Sequence, residues 1–183
     1  MRAGRVWRGI GLTVLAALAV GVTLAYTLPV PVGPDRYSVY DGDTLQVVRG
    51  HCMLTHFRLP CVPQRLRLFG VDAFERTQTC KDAAGQEWAC GAVATKRLQE
   101  LVDTPDFGCQ VDDEFVDRHA REFAVCLASG HDVGTILVAE GLAFAYGRRT
   151  SYVAIENEAK AAHRGAWAGS FIRPQYFRAA LRD

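Results

Sequence analysis

Four short segments hold the residues best able to do chemistry. Asp41-Gly42-Asp43-Thr44 sets two carboxylates at a tight turn, where their oxygens suit a hard cation and Gly42 permits the bend. Asp-Gly is also a common hairpin turn, so this segment alone decides nothing. In the second segment Arg67 stands inside an alternating apolar run, Asp72 follows, and Glu75 comes three residues later. A charge within a strand is costly without a partner. The arginine fork matches a phosphate, the aspartate can add a metal oxygen, and the glutamate can accept a proton. The third segment, Asp117-Arg118-His119-Ala120-Arg121, brings further guanidiniums to a bend between strands, where a solvated charged turn is the rival reading. The fourth places Tyr146 with Arg148, Arg149 and Tyr152 after an apolar run. Aromatic and basic residues so interleaved suit stacking on a base beside phosphate contacts, while simple packing of Tyr146 remains the bland alternative.

The elements that must position these groups follow from periodicity and breakers. Tyr37 to Tyr40 and Thr44 to Val48 read as strands about the Asp-Gly-Asp turn, and Arg65 to Val71 as a strand with two unlike faces. A helix is predicted from about Gly91 to Leu101, with Val93, Leu98 and Leu101 on its apolar stripe. Gln110 to Val116 and Glu122 to Leu127 read as antiparallel strands. Val133 to Glu140 reads as a short helix stopped by Gly141, and Ser151 caps a last helix to about His163. Strands first, with helices interspersed and trailing, predict an α+β fold. A small five-stranded OB-type barrel with about three packing helices suits this order, which periodicity alone does not choose.

The chain has 183 residues, enough for one domain with a real core. Its formal charge of +1 hides a split, because Arg2, Arg5 and Arg8 lie in an N-terminal stretch without acids. The remainder carries 18 basic against 20 acidic residues, which disfavours plain coating of nucleic acid. Gly9 to Leu28 contains no charge and, at about 1.5 Å per residue, just crosses a bilayer core of about 30 Å. Ala17-Leu18-Ala19 offers a small-x-small cleavage site, so residues 1–28 read either as a signal peptide or as a membrane anchor. Either version delivers the body outside the cytoplasm. Pro29, Pro31 and Pro34 make residues 29–35 a stiff linker.

Six cysteines agree with an oxidising compartment, and none is spaced for a zinc finger. Fifteen pairings are possible. The sequential one, Cys52–Cys61, Cys80–Cys90 and Cys109–Cys126, is expected because each pair brackets a loop or hairpin, with free buried thiols as the alternative.

Taken together the four segments resemble the staphylococcal nuclease (thermonuclease) family, in an exported bacterial form with extra cysteines. That family shows an Asp-Gly-Asp-Thr turn, an arginine strand closing on an aspartate and a glutamate, an Asp-Lys/Arg-Tyr-Gly-Arg turn, and a Gly-Leu-Ala segment with a tyrosine. Here these stand as Val39 to Thr44, Arg67 to Glu75, Asp117 to Arg121, and Val138 to Ala143, and Arg164-Gly165-Ala166-Trp167 looks like the end of the family's closing helix. The similarity covers residues 36–172 and leaves 173–183 as a tail.

The resemblance implies an OB-type barrel, one bound Ca²⁺, and attack of water on phosphorus. It gives Arg67, Glu75 and Arg121 catalytic roles, with Glu75 as general base. Asp43, Asp72 and the backbone carbonyl of Ala73 would hold the metal, with Asp41 in support. Tyr146, flanked by Arg118 and Arg148, would contact substrate. The substrate would be DNA or RNA, single-stranded or denatured by preference, cut to leave 3′-phosphate ends by a monomer. Two departures stand out. The family's Tyr-Gly before the second arginine is His119-Ala120, and its Thr-Pro between aspartate and glutamate is Ala73-Phe74. A silent barrel that binds nucleic acid, or an envelope module for protein contacts, are the competing readings. A pure binder has no reason to combine Arg67, Glu75 and Arg121 with the aspartates.

Overall fold

The computed structural model describes residues 35–48, 63–117, 119–147 and 151–182. The N-terminal apolar run, Cys52, Cys61, Arg118 and Arg148 lie outside the described residues.

Strands β1 (Arg36–Val39) and β2 (Thr44–Val48) flank the Asp-Gly-Asp turn as an antiparallel hairpin. The turn is closed by the amides of Tyr40 and Asp41 donating to the Thr44 carbonyl. Strand β3 (Gln64–Leu68) continues antiparallel from β2. Next comes β8 (Glu122–Ala128), parallel to β3, and then β7 (Gly108–Val116), antiparallel to β8. The sheet order β1-β2-β3-β8-β7, with one parallel pair in its middle, gives a curled mixed sheet, and β9 (His131–Asp132) adds to β8. Register decides what meets what: Thr44 pairs with Arg67, and Arg67 with Phe123, in one row across three strands.

The run expected as one strand from Arg65 to Val71 is broken. Phe69 and Gly70 turn, with Gly70 at φ 81°, and the chain resumes as β4 (Val71–Ala73), which pairs with β10 (Ala143–Ala145). Left-handed backbone at Gly70 is cheap only for glycine, and the alternation ends just before it, at Leu68-Phe69. A short hairpin, β5 (Cys80–Lys81) with β6 (Glu87–Trp88), leads into α1 (Cys90–Val102).

Helix α1 buries Cys90, Gly91, Ala94, Leu98 and Leu101. Val93, predicted on that stripe, is instead 42% exposed, because the stripe runs through Ala94, one residue on. Helix α2 (Val133–Ala139) is capped by Asp132, whose carboxylate accepts from the Thr135 amide at 2.8 Å. The same carboxylate accepts from the Tyr152 hydroxyl at 2.8 Å, tying α2 to α3 (Ser151–Ala161). Ser151, predicted as the cap, is already the first helical residue. Residues 173–183, expected as a tail, contain α4 (Pro174–Ala180), which begins with proline at a position where no amide is needed.

Two apolar clusters hold this together. The larger lies between sheet and helices and includes Leu45, Leu66, Leu68, Leu98, Leu137 and Val138. Each such side chain taken from water contributes about 1.5–3 kcal/mol. The smaller joins Phe74 and Phe144 to the disulfide Cys80–Cys90 and to Trp167 and Phe171. Phe74 stacks edge-on to Phe144 and Phe171 at 5.0 and 5.6 Å between ring centres. The loop between Asp72 and Glu75 is therefore pinned by an aromatic anchor at the position where the resembled family has proline.

Candidate active site

Asp43 ends the first turn and is 4% exposed. Its Oδ1 accepts from the Thr44 hydroxyl at 2.9 Å, and its Oδ2 from the Ala73 amide at 3.1 Å. The turn sits this close to β4 because residue 42 is glycine. A Cβ there would stand 2.8 Å from the Cβ of Ala73. Arg67, buried in mid-strand, answers the cost of its charge by bridging two acids: its Nη2 lies 3.1 Å from Asp43 Oδ2 and 2.9 Å from Asp72 Oδ1. Burial pushes the Asp43 carboxyl up to about 6, and the nearby charges of Asp41 and Asp72 add to this. Arg67 and the Ala73 amide work the other way.

Glu75 follows the anchored Phe74. Its carbonyl accepts from the Gln78 amide, and its amide donates to the Gln78 side chain at 3.2 Å. Helix α1 starts against this loop, since a Cβ at Gly91 would lie 1.7 Å from the Glu75 carbonyl oxygen. The disulfide Cys80–Cys90 fastens the helix start to β5 beside it. The Glu75 carboxylate accepts from Arg178 of α4 at 2.7 Å. Arg178 also forks onto both oxygens of Asp72, at 3.0 and 3.1 Å.

Arg121 approaches from the other wall. Asp117 collects the amides of His119 and Arg121 on Oδ1, while its Oδ2 accepts from the Arg121 Nε at 2.8 Å. Burial opposes the charge of Asp117, but these bonds from Arg121 and the backbone outweigh it and leave its carboxyl at about 2. Ala120 takes φ 56°, the left-handed conformation that the family's glycine accepts freely. Even so Arg121 is aimed inward, its Nη1 donating to the Thr44 hydroxyl at 2.9 Å. Thr44 thus links the Arg121 wall to Asp43.

These groups line one cleft of about 520 Å³. Asp41, Asp43, Arg67, Ala73, Glu75, Arg121 and Tyr146 all face it, together with Arg178. Asp72 lies beneath, 3% exposed and held by Arg67 and Arg178. The Asp41 side chain accepts from the Asp43 amide at 3.1 Å and so shapes the turn. Tyr146 is half exposed at the rim, its amide bound to the Gly70 carbonyl. Tyr40, just after β1, and Arg65 of β3 form an aromatic-basic pair on the wall, with the guanidinium 4.5 Å from the ring centre. Of the candidate disulfides, Cys80–Cys90 and Cys109–Cys126 are present, the second across the β7–β8 register.

Among the described residues no three Asp, Glu, His or Cys side chains stand close enough to hold a metal ion together. Guanidiniums occupy the space between the carboxylates instead. The donor chemistry nevertheless suits a hard cation. Asp43, Asp72 and Glu75 offer only oxygen, and the charge of Arg178 already stands in for a cation between Asp72 and Glu75.

Comparison with known families finds that residues 65–169 match the model for the staphylococcal nuclease homologues. More than half the chain is covered, and the protein belongs to this family of nucleases, whose domain is an OB-type α+β fold. No curated protein matches the chain. The match takes in Arg67, Asp72, Glu75, Arg121 and Tyr146, while Asp41 and Asp43 precede it and Arg178 follows it. Sequence reasoning missed Arg178 and the Tyr40–Arg65 pair, and it named Asp117 in the third segment without assigning it the hold on Arg121. Only the position of Asp117, four residues before an arginine in a turn, carried a local signal.

Proposed function

We propose that the protein is an exported, Ca²⁺-dependent nuclease that hydrolyses phosphodiester bonds of DNA or RNA and leaves 3′-phosphate ends. The observation that carries this reading is the meeting of Arg67, Glu75 and Arg121 over buried Asp43 and Asp72 in one open cleft. Family membership supports the reaction class.

Asp43, Asp72 and the Ala73 carbonyl would hold the ion, with Asp41 in support. Once bound there, Ca²⁺ supplies Lewis acidity to a phosphoryl oxygen and to the attacking water. Arg67 and Arg121 come from opposite walls and bind the phosphate oxygens, where charge builds as phosphorus becomes five-coordinate. Glu75 takes the proton of the attacking water on a carboxylate oxygen. The water oxygen bonds to phosphorus as the 5′ P–O bond breaks, and the departing 5′ oxygen takes a proton from solvent, which leaves a 5′ hydroxyl and the phosphate on the 3′ side. Tyr146 and the Tyr40–Arg65 pair offer rings and a cation to bases of a separated strand, which supports a preference for single-stranded or denatured substrate. The N-terminal apolar run and the two disulfides support placement outside the cytoplasm, membrane-tethered if the run is retained, with the body acting as a monomer.

The test uses the full chain, kept in mild detergent because of its apolar N-terminus, with denatured DNA and with RNA. Cleavage is expected with Ca²⁺ and stops with chelator. Glu75→Gln and Arg121→Ala are each expected to lower kcat by roughly 100-fold or more while the thermal transition stays cooperative. Undiminished cleavage by both variants would remove the catalytic assignment.

A further inference from the structure

Arg178 lies outside the family match and on an element the sequence pattern left as a tail, yet it touches two acids of the cleft. Its Nη1 and Nη2 fork onto Asp72 Oδ1 and Oδ2 at 3.0 and 3.1 Å, and Nη1 also reaches Glu75 Oε1 at 2.7 Å. Asp72 Oδ1 accepts a further bond from Arg67 at 2.9 Å. Both acceptor positions of Oδ1 are then taken, and Oδ2 keeps one.

A calcium ion binds carboxylate oxygen at about 2.3–2.6 Å, so a metal on Asp72 and the present guanidinium would sit roughly 4–5 Å apart on shared oxygens. Two cations at that separation repel each other, and the repulsion is least screened in a partly buried site. The Glu75 oxygen that faces Arg178 has one of its acceptor positions taken, so the pair fixes where the carboxylate sits while it holds.

The helix that carries Arg178 is anchored at its N-terminal end, where its cap residue Arg173 pairs with Glu156 at 2.6 Å and lies over the Phe144 ring, and is less secured beyond it. It has seven residues, too few to persist without tertiary contacts. Its one buried residue is Pro174, and Tyr176 is 62% exposed. A hollow of about 250 Å³ separates Phe177 and Leu181 from Tyr40, Asp41 and the Glu75–Thr77 turn. Past Pro174, the ion pairs of Arg178 are the side-chain bonds among the described residues that fasten α4 to the cleft.

We propose that Arg178 is an internal counter-cation for the site: metal-free protein holds Asp72 and Glu75 closed through it, and metal loading releases the guanidinium and loosens α4. This rests on the Ca²⁺-nuclease reading and adds a competition between metal and helix to it. Arg178 is a positioning residue that holds the Glu75 carboxylate beside α4 until the cation arrives.

Two measurements on the full chain in detergent test it. The first is calorimetric titration of Ca²⁺ into the wild type and Arg178→Gln, which keeps similar bulk. The variant is expected to bind roughly tenfold more tightly, as when a competent fraction of about one tenth becomes fully populated. The second is hydrogen exchange of the wild type alone, which needs no variant to fold. Amides of α4 are expected to exchange faster with Ca²⁺ while the sheet stays protected. Both results are required. Unchanged or weaker binding in Arg178→Gln overturns the proposal, and so does α4 protection that is unchanged or increased by Ca²⁺. If the wild type cleaves DNA with Ca²⁺ while either result fails, only the competition falls. If neither protein binds Ca²⁺, the metal reading of the function falls with it.

Discussion

Asp43 is the residue with the sharpest electrostatic demand, because it is buried beside Asp72 with one shared guanidinium between them. Its carboxyl, pushed up to about 6 by burial, takes up a proton in the folded chain over a pH range where the unfolded chain has already lost it. The stabilisation is present below about pH 4 and disappears as pH rises through 6. Asp43→Asn, which stays neutral, should therefore gain on the wild type across that window in the presence of chelator. By linkage the relative gain is on the order of 3 kcal/mol, read as the difference between their melting curves from pH 4 to 7. A flat difference would show that Asp43 ionises normally. Ala120 makes a second residue-scale case. It is held at φ 56° by the bonds that aim Arg121, and replacing it with glycine relieves the strain at the Cβ. Ala120→Gly should stabilise the chain by about 1 kcal/mol in a denaturant titration, with Arg121 still aimed inward. That departure from the family pattern was legible in the sequence. That the turn tolerates it was not, because the tolerance comes from Asp117 gathering backbone amides as well as the guanidinium.

Elements carry the next level. The loop bearing Glu75 owes its position to three neighbours: the aromatic anchor of Phe74, the close start of α1 at Gly91, and the disulfide Cys80–Cys90. The disulfide closes a loop of 10 residues in sequence, and the chain-entropy account gives it about 2–3 kcal/mol. The double variant Cys80→Ser/Cys90→Ser should lose that much in urea unfolding. It should also lose more activity than stability alone explains, because the α1 start would no longer be fastened beside Glu75. Equal losses in a control that opens Cys109–Cys126, which lies away from Glu75 on β7 and β8, would argue against a positioning role. Strands β1, β2, β7 and β8 and helices α1 to α3 were readable from periodicity, cap residues and breakers to within a few residues. The break at Phe69-Gly70 and helix α4 were not. The first falls where Leu68 and Phe69 end the alternation and only Gly70 marks the turn, and the second carries no side-chain cap and is secured by distant charges.

At the scale of the whole molecule, the two disulfides among the described residues support the proposed placement outside the cytoplasm. A phosphatase reporter that needs disulfides to fold, fused after Asp183, should be active in bacterial cells. It should fall silent when residues 1–28 are removed. Activity that survives the deletion would end the case for export. The near balance of charge also separates this protein from proteins that coat nucleic acid, and three of its guanidiniums, Arg67, Arg121 and Arg178, pair with acids at the cleft.

The sequence by itself determined the chemistry on offer. Carboxylates, guanidiniums and a glutamate at their spacings are properties of neighbouring residues, as are the turns and periods that shape each strand and helix. Only the tertiary structure decided how these groups are shared. The parallel pairing of β3 with β8 sets Arg67 beside Phe123 and brings Arg121 to Thr44, 77 residues away. Docking of α4 spends Arg178 on Glu75 across 103 residues. A local pattern extends over one or two turns of helix or a few residues of strand, whereas an ion pair between distant segments exists only when the packing of everything between them has closed the gap.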